Sequence, residues 1–295
     1  LICGMGGSAI GGDLLNAIVK NSIKIPIIVN RDYVLPNWVS ENTLIILSSY
    51  SGNTEEVLSC YEEIIDKEFK PIIISSGGEL LNNANNNNFL NFCVPKGYMP
   101  RFALGYNITI LISLLVKLNL LKETILNELY SVVNILKNDS ENYSKIIDEN
   151  ISISLAEKIY NKFNIIYTNT DMEVVGLRFR AQLAENAKIL SSHYVLPEQN
   201  HNEIEAFEKS DTKKINLIWV NDPSIHKRVQ KRINITSKIY KNKIGQDIIE
   251  FDGDSYLERI MKLIYFFDWV SFYCSLLNET DPYEIPNIIK LKELL

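Results

Sequence analysis

The chain has 295 residues, 46% of them hydrophobic, enough for one large α/β domain or two of ordinary size. Its formal net charge of −6 argues against nucleic acid as the main partner, and no apolar run is read as long enough to span a membrane. Cys3, Cys60, Cys93 and Cys274 show neither paired nor metal-ligand spacing, and the three histidines form no His-x-x-x-His. A bound metal is therefore not expected, and the thiols read as reduced and cytosolic. The chain starts in an apolar run without Met, so further residues are expected upstream; no signal peptide is visible.

Apolar runs alternate with helical patterns, which predicts α/β architecture with parallel sheets. A strand is expected at 1–3 and a helix at 9–20. Between them lies the small-residue turn Gly4-Met5-Gly6-Gly7-Ser8. Strands at 25–29 and 43–47 come next. A second turn then runs Ser48-Ser49-Tyr50-Ser51-Gly52-Asn53-Thr54, opening a helix at 54–66. A strand at 71–75, an Asn-rich surface loop at 82–88 with no packing role, a strand at 91–94 and a helix at 102–118 complete the first half. Residues 121–150 read as a polar helical connection. The second half shows strands at 164–168, 215–220 and 248–251, with helices at 172–190, 224–240 and 254–277.

Strand, small-residue turn, helix is the geometry of an anion site. Backbone N–H groups at the helix start point outward, and the helix dipole favours negative charge. Neither turn has the Gly-Lys-Ser/Thr of a P-loop, so a small phosphorylated metabolite is expected rather than a nucleoside triphosphate. Ordinary N-capping accounts for one or two of Ser49, Ser51 and Thr54, but not for an earlier turn ending in Ser8. Gly6, Gly7, Ser8, Ser49, Ser51 and Thr54 are the candidate phosphate ligands, and Tyr50 and Asn53 are expected to shape the turn. The second half looks like a degenerate copy. Its turns read Asn169-Thr170-Asp171 and Asn221-Asp222-Pro223, without the phosphate chemistry. One phosphate site per chain follows, in the first half.

The two turns resemble the SIS (sugar isomerase) domain. Two more segments, Gln182-Leu183-Ala184-Glu185-Asn186-Ala187-Lys188 and Pro197-Glu198-Gln199-Asn200-His201-Asn202-Glu203, narrow this. With Pro100-Arg101 and the terminal Leu291-Lys292, they resemble the archaeal-type bifunctional phosphoglucose/phosphomannose isomerases over nearly the whole chain. The resemblance implies two SIS-type subdomains, each a parallel sheet flanked by helices. The expected bounds are 1–122 with the phosphate site, a helical connection at 123–150, a second subdomain at 151–277, and a tail at 278–295 that reaches the active site.

The resemblance also implies roles. Glu185 becomes the base that moves a proton between C2 and C1 of an open-chain sugar. His201 serves ring opening, supplied by the partner subunit of a homodimer. Arg101 faces negative charge on a cis-enediolate, and Lys292, with Lys290 as its rival, enters from the tail. His193 and His226 are left as structural. The implied reaction interconverts glucose 6-phosphate and mannose 6-phosphate with fructose 6-phosphate in the cytoplasm, without cofactor, nucleic acid or membrane. Other readings are another SIS sugar-phosphate isomerase, or a non-catalytic sugar-phosphate-binding regulator.

Overall fold

A computed structural model describes residues 1–208 and 211–295, which divide into two compact units, Leu1–Asn127 and Glu128–Leu295. In the first unit, β1 (Ile2–Cys3), α1 (Gly6–Val19), β2 (Val29–Asn30), β3 (Ile46–Ser48), α2 (Glu55–Asp66), β4 (Ile72–Ser75), α3 (Gly78–Asn86) and β5 (Asn91–Cys93) follow in order. A 3-10 turn at Pro100–Phe102 leads into α4 (Leu104–Lys117). All strand pairs are parallel, in the order β2-β1-β3-β4-β5. Parallel strands covered on both faces require continuous apolar runs. Ile45, Leu47 and Ile73 supply them, packed with Val57 and Ile64 of α2 and with Leu80 and Ala84 of α3. The four cysteines are free thiols, and Cys3 and Cys60 both accept from the Asn30 amide.

α5 (Thr124–Tyr143) carries the boundary between the units. The second unit continues with α6 (Ile151–Ile159), β6 (Phe163–Asn169), α7 (Glu173–Ala187) and β7 (Ser191–Leu196). Two 3-10 turns follow, Glu198–His201 and Glu203–Glu208. Then come β8 (Ile215–Val220), α8 (Lys227–Tyr240), β9 (Gly245–Ile249), α9 (Tyr256–Leu277) and α10 (Pro286–Leu294). The sheet is again parallel, ordered β7-β6-β8-β9. This repeats the first four positions of the first sheet, so the copy expected from sequence is a copy of topology as well. An aromatic core fills this unit: Tyr167 packs on Trp219 at 4.6 Å between centroids, and Phe179 stacks on Phe267 at 4.2 Å.

Several sequence expectations need correction. The strand at 25–29 shrinks to Val29–Asn30, because Pro26 has no N–H to give a ladder and Ile25 and Ile28 stay exposed. The Asn-rich stretch is largely the end of α3; Ala84 is buried and Asn87 donates to the Tyr61 hydroxyl at 3.0 Å. Its polar composition hid a helix anchored by only two buried side chains. α6, β7 and α10 were not predicted as elements. The membrane reading also changes, since α9 is by length and composition apolar enough to cross one. Of its most apolar window, 61% is buried inside the chain, where it packs on α6 and α7.

Candidate active site

The site begins at a reversal of strand order. β1 lies between β2 and β3, so chain connections leave it in opposite directions. Open parallel sheets bind ligands in the crevice this creates at the carboxyl ends of the strands. Both small-residue turns sit there, after β1 and after β3, whose registers run side by side.

At the first turn, Gly6 opens α1 at φ +50°. The N-cap, Met5, makes no side-chain cap bond, and the first turn of α1 holds no acidic residue. Its N–H groups thus have no competing carboxylate. Gly7 is required by close approach: a Cβ there would stand 2.7 Å from the Pro100 carbonyl and 3.2 Å from Arg101 Cα. That approach brings Arg101 against the glycine turn. Arg101 is buried, 3% exposed, and so is not a surface residue as is ordinary for its type. Its guanidinium lies 5.0 Å from the Phe102 ring centroid.

The second turn is braced from within. Ser49 is buried; its hydroxyl lies 2.7 Å from the Thr54 hydroxyl and accepts from Gly52 N at 3.0 Å. Thr54 is the N-cap of α2, yet its side chain makes no cap hydrogen bond. Capping therefore does not explain this hydroxyl. Ser51 is exposed and accepts from Asn53 N at 3.2 Å. Tyr50 and Asn53 shape the turn, as expected. Tyr50 donates to the Pro95 carbonyl and accepts from Tyr98 N, and Asn53 accepts from Glu79 N at the start of α3.

Between the turns is a recess of ≈ 10 Å³ lined by Gly7, Ser8, Ser48, Tyr50, Pro100 and Asn107. Asn107 was missed by sequence. It donates to Ser48 Oγ at 2.7 Å, while its buried Oδ1 has no partner among the described residues. An Asn on the buried, apolar face of α4 was the available signal.

The other candidates belong to the second unit. Glu185 is half-buried in the last turn of α7; His201 is exposed at the end of the 3-10 turn after β7; Lys290 and Lys292 are exposed on α10. His193 donates or accepts at 2.8 Å with Thr168, and burial pulls its pKa down to about 4. Glu203, two residues after His201, was also missed. Burial raises its pKa, partly opposed by the Tyr167 hydroxyl donating to it at 3.0 Å.

The second unit also shows why its own turns are not anion sites. β8 holds the place of β3, and the turn after it carries Asp222. This carboxylate is buried, accepts from Ser224 N at 2.9 Å, and pairs with Arg259 Nε at 2.7 Å. The chain's own anion fills the position.

Residues 148–295 match the family model described as the bacterial phospho-glucose isomerase C-terminal SIS domain. The chain is 40% identical over 301 residues to the bifunctional phosphoglucose/phosphomannose isomerase of Caldicellulosiruptor bescii, covering 100% of this chain and 88% of that one. It is 32% identical to the enzyme of the same name from Aquifex aeolicus, covering 100% and 89%. Among solved structures, the C-terminal domain of glucosamine-fructose-6-phosphate aminotransferase from Francisella tularensis aligns with a TM-score of 0.73 at 14% identity, covering 95% of this chain and 84% of that one. With a full-length relative at this identity and a buried Arg101 against the glycine turn at the strand-order reversal, the chain belongs to the bifunctional phosphoglucose/phosphomannose isomerase family.

Proposed function

We propose that this chain is an aldose–ketose isomerase interconverting glucose 6-phosphate and mannose 6-phosphate with fructose 6-phosphate. The observation that carries the reading is the lysine-free cradle at the strand-order reversal, with Arg101 held against it. Such a cradle suits a sugar phosphate, and family membership narrows the sugar.

The phosphate docks on the N–H groups of Gly6 and Gly7 and on the hydroxyls of Ser8, Ser49, Ser51 and Thr54. Anchoring one end of the substrate holds its other end for reaction, which lowers the entropic part of the barrier. His201 moves the proton from O1 to O5 that opens the ring, a task suited to imidazole. Glu185 takes the proton from C2 of the aldose and returns it to C1, through a cis-enediol, while the O2 hydroxyl proton passes to O1. Arg101 faces the oxygen on which negative charge develops, where a fixed guanidinium acts most strongly. Lys292 reaches the same charge from the tail. The two aldoses differ only at C2, which becomes planar in the enediol, so one base serves both if the C2–C3 bond rotates in the pocket. The proposal includes a cytosolic homodimer in which each site borrows His201 from its neighbour.

The test incubates the purified protein with fructose 6-phosphate in deuterated water and quantifies both aldoses. Glucose 6-phosphate and mannose 6-phosphate should both form, with deuterium at C2. In Glu185→Gln, turnover and C2 exchange should stop while substrate still binds. No aldose from the native protein would leave another sugar-phosphate isomerase or a sugar-phosphate-binding regulator.

A further inference from the structure

The end of α7, the helix that carries Glu185, is closed by side chains from the segment after α9. The last carbonyls of a helix have no intrahelical partner and must find one elsewhere. Here the Ala187 carbonyl accepts from Asn278 Nδ2 at 2.8 Å, and the Asn186 carbonyl from the Thr280 hydroxyl at 3.2 Å. The Glu185 carbonyl accepts from Lys188 Nζ at 2.7 Å. The same ammonium also donates to the Asp281 carbonyl at 3.0 Å and the Glu284 carbonyl at 2.6 Å. An ammonium has three donors, and each meets a carbonyl.

Lys188 holds this place against backbone preference. It caps α7 in the left-handed region, φ 57°, where Gly or Asn is favoured. The residue is exposed, so its bonds add little to global stability. A strained position kept by a solvent-facing lysine points to what the ammonium gathers. It gathers the lead into α10. That helix buries none of its own residues, so packing does not fix its direction. Its lead, tied at Asp281 and Glu284, does.

We propose that Lys188 is a positioning residue for the reaction: it ties the C-terminal segment carrying Lys290 and Lys292 to the helix turn that presents Glu185. This rests on the isomerase reading, in which α10 delivers a lysine to the site. Lys188 touches no substrate. Arg is not equivalent, because a planar guanidinium cannot direct three donors at three carbonyls arranged around a point.

The full chain carries the test. Lys188→Asn removes the ammonium while suiting the left-handed backbone, so lost activity cannot be assigned to a damaged cap. Lys188→Met, which keeps most of the stem, is the second variant. Amide hydrogen exchange should rise about tenfold or more across 281–295 and stay unchanged in α9. For fructose 6-phosphate, kcat should fall by about tenfold or more while KM moves less than about threefold. Lys292→Ala added to Lys188→Asn should cost less than about threefold beyond the single variant, since an untethered lysine is already lost. Unchanged exchange in 281–295 would overturn the tether. Raised exchange with native kcat, or fully multiplicative losses with Lys292→Ala, would overturn its role in catalysis. Failure of the isomerase reading shows separately, as a native protein without turnover, and the exchange experiment then still decides the tether.

Discussion

Two hydroxyls 2.7 Å apart, Ser49 and Thr54, divide the work of the second turn. Ser49 is buried and also accepts from Gly52 N, so it holds the turn's shape; Thr54 is half-buried and leaves the α2 amides uncapped. The two should therefore separate on mutation. Thr54→Ala should raise KM for fructose 6-phosphate by roughly tenfold, the cost of one hydrogen bond to a charged group, with little change in Tm. Ser49→Ala should raise KM too and also cost about 0.5–1.5 kcal/mol of stability, because Gly52 N loses one of its two acceptors and keeps only the Ser49 carbonyl at 3.2 Å. Denaturant titration beside steady-state kinetics reads both, and equal stability losses would contradict the division. His193 supplies a pH signature of folding. Its native pKa is about 4, below the usual value of 6.5, because burial disfavours the imidazolium. Between those values the unfolded chain binds more protons, so stability falls as pH drops from 6.5 toward 4 and this contribution flattens below. In His193→Gln the acid limb of the stability profile should lose about one proton of slope between pH 4 and 6.5.

At the scale of elements, the two sheets share an order but not a chemistry. The turn after β3 offers the hydroxyls of Ser49, Ser51 and Thr54, whereas the turn after β8 holds Asp222 paired with Arg259 of α9. Both partners are buried, so removing one strands the other. Asp222→Ala should destabilise the protein by about 3–5 kcal/mol, seen as a lower denaturation midpoint. Asp222→Ala with Arg259→Leu should recover most of that loss, because no uncompensated charge remains. If the double variant is no better than the single, the pair's value lies in geometry rather than in compensated charge.

For the whole molecule, the proposed shared site makes activity depend on assembly. Glu185→Gln and His201→Ala should each be inactive alone. After subunit exchange, a hybrid dimer should regain about one working site, since one of its sites combines intact Glu185 with intact His201. Turnover would rise toward about a quarter of the native level, because hybrids make up about half of an equal mixture and each carries one site of two. Demonstrated hybrids without turnover would place both residues' action within one chain.

The sequence alone carried the parallel α/β architecture, the two strand–turn–helix units and the small-residue turns, because each is local. Apolar runs mark buried parallel strands, and Gly and Ser between a strand and a helix mark amides left free for an anion. It also carried Glu185, His201, Arg101 and Lys292 as candidates, through motif resemblance rather than through chemistry visible at those positions. Other features were decided by contacts distant in sequence. Arg101 is buried because Gly7 lets the Pro100–Phe102 turn approach, 94 positions along the chain. β7, with the polar run Ser191-Ser192-His193, is a strand because β6 offers it an edge. Asn107 and Glu203 become notable only once buried with an unpartnered oxygen. Lys188 reads in sequence as a charge after a helix; the three carbonyls that give it meaning come partly from residues 93 and 96 positions away. Periodicity and turn chemistry describe a segment's own preferences, whereas burial and hydrogen-bond partners belong to pairs of segments that only folding brings together.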